Sequence, residues 1–293
     1  MSSFNEKVAS ETSSKPVQSV IQGIRTSDGA GVKLTRIIGS QQLQMLDPFL
    51  LLDCFESDDP NDYIAGFPPH PHRGFETVTY ILDGRMRHAD SRGNEGVIEA
   101  GGVQWMTAGK GILHSEMPEQ EQGLLKGFQL WVNLPKAEKM CTPKYQEFSA
   151  QQIPVDTSDQ AFSVKVIAGQ SDSGVTGPVV NLHSFPLYLD VIMHQTMDFK
   201  QSIPSSHNAF VYVIDGQLSV ADLGVSAGQL AVLGQGDKLE LTSQAQSRFL
   251  VIAGKPMNEP VARHGPFVMN DNDELKQAFV DYQQGKFGYL AEP

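Results

Sequence analysis

Apolar and polar positions alternate with period two along most of this chain, in short runs separated by turn-forming residues. Val32-Lys-Leu-Thr-Arg-Ile-Ile38 alternates in this way and reads as a half-buried strand. Phe49-Leu-Leu-Leu-Asp-Cys-Phe55 is continuously apolar and reads as a strand buried on both faces. Phe67-Pro-Pro-His-Pro-His72 carries three prolines, which have no N–H to give a sheet ladder, so this run begins a strand or lies on an edge. Phe75–Leu82 is a strong strand, and Asp83-Gly84 after it is a hairpin signal. Met86–Asp90, Gly96–Glu99, Gly102–Thr107 and Gly127–Pro135 continue the series. A second series comprises Phe162–Gly169, Leu187–Met193, Ala209–Gly216, Gln229–Leu233 and Ser247–Ala253. Many short strands at close spacing predict an all-β sandwich or barrel architecture.

The two series repeat one another. Tyr80-Ile-Leu-Asp-Gly84 parallels Tyr212-Val-Ile-Asp-Gly216, Ala100-Gly101 parallels Ala227-Gly228, and Gly109 parallels Gly236. A duplicated β unit follows. The pattern divides the chain into a loose polar tail (1–16), a first barrel (17–135), a polar crossover (136–160) and a second barrel (161–293). The end breaks the period. Leu275, Ala278, Phe279 and Tyr282 fall at i, i+3, i+4 and i+7, which predicts an amphipathic helix over 271–284, capped by Asn or Asp, followed by Gly285 and packed on the outside of a sheet.

Histidines break the apolar pattern where chemistry is expected. His70 and His72 stand at i, i+2 on one run, and His114 and Glu116 at the same spacing on Gly109-Lys-Gly-Ile-Leu-His-Ser-Glu-Met-Pro118. On a strand, positions i and i+2 share a face about 7 Å apart. Each pair can therefore address one ion. Three imidazoles and one carboxylate leave coordination positions open, as a reactive site requires. Glu76 competes for the carboxylate place at the spacing HxHxxxE, either as a ligand or as a buried acid bonded to the ligands. Spacing alone leaves Glu76 and Glu116 open. On the repeat, Ser202, Pro204, Leu241 and Ser243 fall where the first half has His70, His72, His114 and Glu116, so the second half has lost the ligands. His88, His207 and His264 are isolated and read as hydrogen-bonding residues, and Trp105 and Trp131 as core or pocket wall. Gly109-Lys-Gly lacks the remainder of a phosphate loop.

Composition narrows the function classes. A net charge of −12 over 293 residues argues against direct nucleic-acid binding. No run of about 18 apolar residues occurs, so no membrane span is expected. The first residues lack the apolar centre of a secretory signal. Cys54 and Cys141 read as two reduced thiols, which together predicts a cytoplasmic protein.

The longest motifs carry a resemblance. Asp28-Gly-Ala-Gly-Val32, Leu46-Asp-Pro-Phe-Leu-Leu-Leu-Asp53, Phe67-Pro-Pro-His-Pro-His-Arg-Gly-Phe-Glu76, Gly109–Pro118, Leu130-Trp-Val-Asn-Leu-Pro135 and Gly265-Pro-Phe-Val-Met-Asn270 resemble the pirins, a family within the cupin superfamily. The resemblance implies two stacked cupin barrels of the double-stranded β-helix or jelly-roll type with a C-terminal helix. It implies one divalent metal in the first barrel, Fe(II) or else Ni, Cu, Mn or Zn, held by His70, His72, His114 and Glu116. In pirins the acid at the Glu76 position is not counted a ligand. Two roles are attached to the family. One is quercetin 2,3-dioxygenase activity on a small aromatic substrate with O2, in which Glu116 would also serve as base. The other is metal-dependent, redox-sensing regulation through a protein partner, either transcriptional or metabolic.

Overall fold

The computed structural model describes residues 13–290. The first twelve residues of the expected tail and residues 291–293 lie outside it. The strands form two barrels of one design, each a seven-stranded sheet closed by a four-stranded sheet. In the first barrel the large sheet runs in the order Lys144–Phe148, Val103–Thr107, Phe75–Asp83, Leu125–Asn133, Phe49–Ser57, Val32–Ile38, Ile24–Asp28. Its small sheet runs Phe67–His72, Ile112–Pro118, Arg85–Asp90, Glu95–Glu99. The second small sheet repeats that order with Met197–Ser202, Lys238–Ser243, Gln217–Val220 and Leu223–Ser226.

Asp83-Gly84 is not a hairpin turn. The strands on either side of it belong to different sheets, and Gly84 (φ 81°) turns the corner between them. Gly216 turns the equivalent corner of the second barrel at the same φ of 81°. A Cβ at Gly84 would stand 2.8 Å from the Leu124 carbonyl oxygen, so glycine alone fits there.

The two large sheets pack face to face. Val78, Tyr80, Trp105 and Phe128 of one meet Tyr188, Phe210, Tyr212 and Leu250 of the other in a single buried cluster. Phe128 and Tyr212 meet edge to face at 5.3 Å between centroids. This central layer, not either lumen, is the shared core, and each strand facing it alternates between that core and its own lumen.

Three segments lie elsewhere than the linear division of the chain predicts. Val17–Gln22 pairs with Gln229–Leu233, so the N-terminal strand completes the large sheet of the second barrel. Lys144–Phe148, inside the expected crossover, pairs with Val103–Thr107 and extends the first barrel's sheet. The C-terminal segment returns to the first barrel. Its helix, α1 (Asn272–Gln283), is capped by the Asp271 carboxylate, which accepts from the Asp273 and Glu274 N–H groups, with both acids in the first turn. Leu275, Ala278 and Phe279 pack with Phe267, Met269, Phe287 and Leu113 of the first barrel. The apolar stripe thus found a face beside the histidine strands. Sequential order did not decide these placements, because a sheet edge accepts any strand of matching register.

Candidate metal centre

His70 and His114 are direct cross-strand partners on neighbouring antiparallel strands, Phe67–His72 and Ile112–Pro118. The two histidine runs therefore sit side by side in one sheet, with His72 two residues further along the same face. The ladder is irregular between His114 and Glu116, where an extra residue re-aims the strand. Beyond His72 the chain turns sharply at Gly74 (φ 87°), where a Cβ would stand 2.0 Å from the Val268 carbonyl oxygen.

The three imidazoles converge. One ring nitrogen from each of His70, His72 and His114 lies within 4.8 Å of the others. Ring centroids are 4.3 Å apart for His70 and His114, 4.7 Å for His70 and His72, and 4.9 Å for His72 and His114. The Nε2 atoms of His70 and His72 face each other at 3.1 Å. Adjacent ligands bound at about 2.1 Å around one ion would stand about 3 Å apart, so this spacing suits a shared cation. The Pro68 carbonyl 2.8 Å from His70 Nδ1 fixes the proton there and leaves Nε2 with its lone pair.

Burial and electrostatics agree with that assignment. His72 and His114 are 3% and 1% exposed. Burial, followed by the neighbouring His70, holds both far below the usual imidazole pKa, so both are neutral and ready to ligate. Among the described residues neither nitrogen of His114 has a hydrogen-bond partner. A buried imidazole with two orphaned nitrogens is costly unless something accepts its lone pair. A metal ion fits that demand and this donor set.

Glu116 is 4% exposed and lines the same cavity as His70 and His72. It stands outside the tight group of imidazole nitrogens. Its Oε1 accepts from the Thr79 hydroxyl at 2.6 Å. Gln129 Oε1 lies 2.8 Å from the same hydroxyl. That hydroxyl has one proton to give, so the Gln129 amide is best turned with its NH2 toward Thr79. His88 sits directly across the ladder from Glu116 and is buried, with Nε2 2.6 Å from Glu147 and Nδ1 against the Tyr145 hydroxyl.

Glu76 stands apart from the histidines, against the expectation that it could ligate or contact them. Gly74 interrupts the strand, and Glu76 belongs to the large sheet while His70 and His72 belong to the small one. Alternation places Glu76 with Val78 and Tyr80, facing the second barrel. Its Oε1 accepts from the Thr107 hydroxyl at 2.7 Å. Burial pushes its pKa up to about 7, with that hydroxyl opposing.

The cavity at the histidines has a volume of about 570 Å³. Leu34, Leu51, Phe55, Phe67, Met86 and Trp131 supply apolar wall, and Thr79, Glu116 and Gln129 supply a polar patch. Arg36, Asp53 and Arg263 bring charge. Gly265 and Pro266 reach the cavity from the C-terminal return. Sequence reasoning missed Thr79 and Gln129, although polar residues on a buried strand are themselves a signal. It could not have found Arg263 or Pro266, nearly two hundred residues away along the chain.

Behind the site, Arg73 Nη1 donates to Asp281 Oδ2 of α1 at 2.8 Å, with both side chains buried. The Phe287 ring lies 4.6 Å from the same guanidinium. Lys139 is buried below Gly74, its ammonium donating to the Gly74 and Val268 carbonyls and to Asn133 Oδ1. The strand that carries His70 and His72 is thus anchored from its rear by the C-terminal return.

Residues 31–132 match the family model for pirin, and residues 188–288 match that for the pirin C-terminal cupin domain. A pirin-like protein of Caulobacter vibrioides is 51% identical over 273 residues, covering 93% of this chain and 99% of the relative. Human pirin is 42% identical over 284 residues, covering 94% and 95%. A crystal structure of quercetin 2,3-dioxygenase from Acinetobacter baumannii superposes with a TM-score of 0.87 at 34% identity, covering 95% of this chain and all of that one. With both halves matched, and with the two cupin barrels and a histidine cluster in the first, the chain belongs to the pirin family.

Proposed function

We propose that this protein is a metal-dependent dioxygenase that cleaves a flavonol such as quercetin, or a related enol-bearing aromatic compound, with O2. The carrying observation is the convergence of three imidazoles, two of them (His72 and His114) buried and held neutral, at a mostly apolar cavity of about 570 Å³, a size that suits a multi-ring ligand. His70, His72, His114 and Glu116 are the proposed ligands, with Fe(II) as the ion. When bound, such an ion supplies Lewis acidity and a template that holds the substrate's deprotonated oxygen beside O2.

The protein's own residues do the rest. Leu34, Leu51, Phe55 and Phe67 exclude water and orient the flat ring system. Glu116 takes the hydroxyl proton as substrate enters, through the carboxylate oxygen that Thr79 does not occupy. Thr79 and Gln129 hold that carboxylate in place. A purely regulatory protein would need no such hollow at its metal; the cavity therefore favours the catalytic reading.

The test uses the Fe(II)-loaded protein with quercetin and O2, beside His114→Ala. Loaded wild type is expected to consume O2 with loss of the flavonol absorbance. The variant is expected to hold little metal and show no turnover. Absence of turnover by fully loaded wild type overturns the catalytic reading. Turnover that survives loss of the metal overturns the proposed ligand set.

A further inference from the structure

Arg263 arrives at the cavity from the C-terminal return and has no carboxylate partner among the described residues. Its guanidinium lies 4.7 Å over the Trp131 ring. Phe75 stacks on the same indole at 4.3 Å, and the indole is 5.1 Å from the His72 ring. Arg263 is thus one indole away from the metal ligands. Among the described residues its only hydrogen-bond acceptor is the Leu50 carbonyl, reached by Nη1 at 3.0 Å. A guanidinium has five N–H donors, so most of its capacity is unused.

The nearby acids are already committed. Arg36 Nε donates to Asp53 Oδ1 at 2.9 Å, and its Nη2 reaches Asp53 Oδ2 and Asp28 Oδ2, each at 2.7 Å. Arg36 thus takes up the hydrogen-bonding oxygens of two carboxylates, leaving one negative charge in excess near Arg263 but no carboxylate oxygen bonded to it. Burial, followed by the positive Arg36, pushes the Arg263 pKa down, with Asp53 and Asp28 opposing. Among the described residues no carboxylate is hydrogen-bonded to the cation, and the indole and the Leu50 carbonyl hold it in one direction.

We propose that Arg263 is the second anchor of the substrate, binding a carboxylate on an aromatic compound whose other end meets His70, His72 and Glu116. The substrate class is then an aromatic acid with a metal-binding hydroxyl at the opposite end. This rests on the dioxygenase reading and adds to it the side of the cavity that selects the substrate. The planar fork of arginine donates two parallel hydrogen bonds to the two oxygens of a carboxylate, a paired acceptor that a neutral flavonol does not offer.

The experiment measures dissociation constants for Fe(II)-loaded, full-length protein without oxygen, by quenching of tryptophan emission. The probes are 3-hydroxyflavone and its 4′-carboxylate; the proteins are wild type, Arg263→Gln and Arg263→Lys. Wild type is expected to bind the carboxylate probe roughly tenfold more tightly than 3-hydroxyflavone, a charge-assisted pair being worth at least that ratio. Arg263→Gln is expected to bind both probes equally while keeping its iron. Arg263→Lys is expected to fall between, because a point charge replaces the fork, and it also serves if the glutamine variant does not fold. Equal binding of both probes by wild type, or an unchanged preference in the variants, overturns the proposal. If wild type then still consumes O2 with 3-hydroxyflavone, the dioxygenase reading stands without it. If wild type binds neither probe, both fall.

Discussion

The two barrels share one strand order but differ in what fills their lumens. In the first small sheet His70 faces His114; in the second the corresponding pair of strands sets Phe199 opposite Leu241. Pairing therefore places Phe199, and not Ser202 as the sequence repeat suggests, across from the counterpart of His114. Phe199, Leu241, Leu218, Val220, Val251 and Phe249 close the second lumen as one packed apolar cluster. The first lumen keeps Thr79, Glu116, Gln129, His70 and His72 around a cavity, with His114 grouped beside the two histidines. The difference shows that one scaffold can be stabilised by filling its centre or left hollow, with a polar patch and histidines on an otherwise apolar wall. The filled copy supports the hollow one through the central layer and through the C-terminal return.

The strongest way to break this comparison is to hollow the filled barrel. Phe249 is fully buried against Phe199, with centroids 5.5 Å apart. Phe249→Ala is expected to cost about 3–5 kcal/mol. Urea unfolding would show the loss, while elemental analysis of the still-folded fraction would show unchanged metal content. Lost metal would mean that the second lumen is coupled to the site.

Asp281→Ala should be nearly as costly and should move both properties. It strands the buried Arg73 guanidinium, for which about 3–4 kcal/mol is expected. Because Arg73 directly follows His72, metal affinity measured by chelator competition should fall as well. Unchanged affinity would show that the C-terminal return stabilises the barrel without positioning its ligand.

Glu76 tests the layer between the barrels through pH. Its carboxyl is held near pH 7 in the fold against 4.5 ordinarily. Between those values the folded chain binds a proton that the unfolded chain has released, so this group makes stability fall as pH rises from about 4.5 to about 7. Glu76→Gln keeps an acceptor for Thr107 without the charge. It should flatten that part of the profile and gain at most about 3 kcal/mol at pH 8. Equal pH slopes for the two proteins would refute this, and lost metal would return Glu76 to the site.

The smallest effect is expected from Tyr80→Phe. The Tyr80 hydroxyl donates to Asp190 Oδ2 at 2.6 Å across the two barrels, and Asp190 keeps two bonds from Arg248. A loss of about 1–2 kcal/mol is expected in denaturant melts, with metal content untouched.

Much of this was legible along the chain. Most strand runs, the duplicated Tyr-x-x-Asp-Gly blocks, the C-terminal helix expected over 271–284 and found at Asn272–Gln283, and the spacing that puts His70 and His72 on one strand face are local patterns, and local patterns survive folding. The failures have a common cause. Asp83-Gly84 satisfies the chemistry of both a hairpin turn and a corner between sheets, because both need a glycine at positive φ. Glu76 keeps the right parity with His70 only if Gly74 lies in a regular strand, and it does not. Val17–Gln22 carries no pattern of its own that names the sheet it joins, and it pairs at the edge of the second barrel.

By itself the sequence determined most of the strand segments, the face that His70 and His72 share, and which half retains the clustered histidines, since each follows from period two and side-chain type. Only the tertiary structure decided that the histidine runs are neighbours, that Glu116 and not Glu76 shares their cavity, and that Arg263 and Pro266 complete its wall. Alternation specifies a face but not the partner across from it. That partner is chosen by register and packing between segments far apart in the chain, where no local pattern reaches.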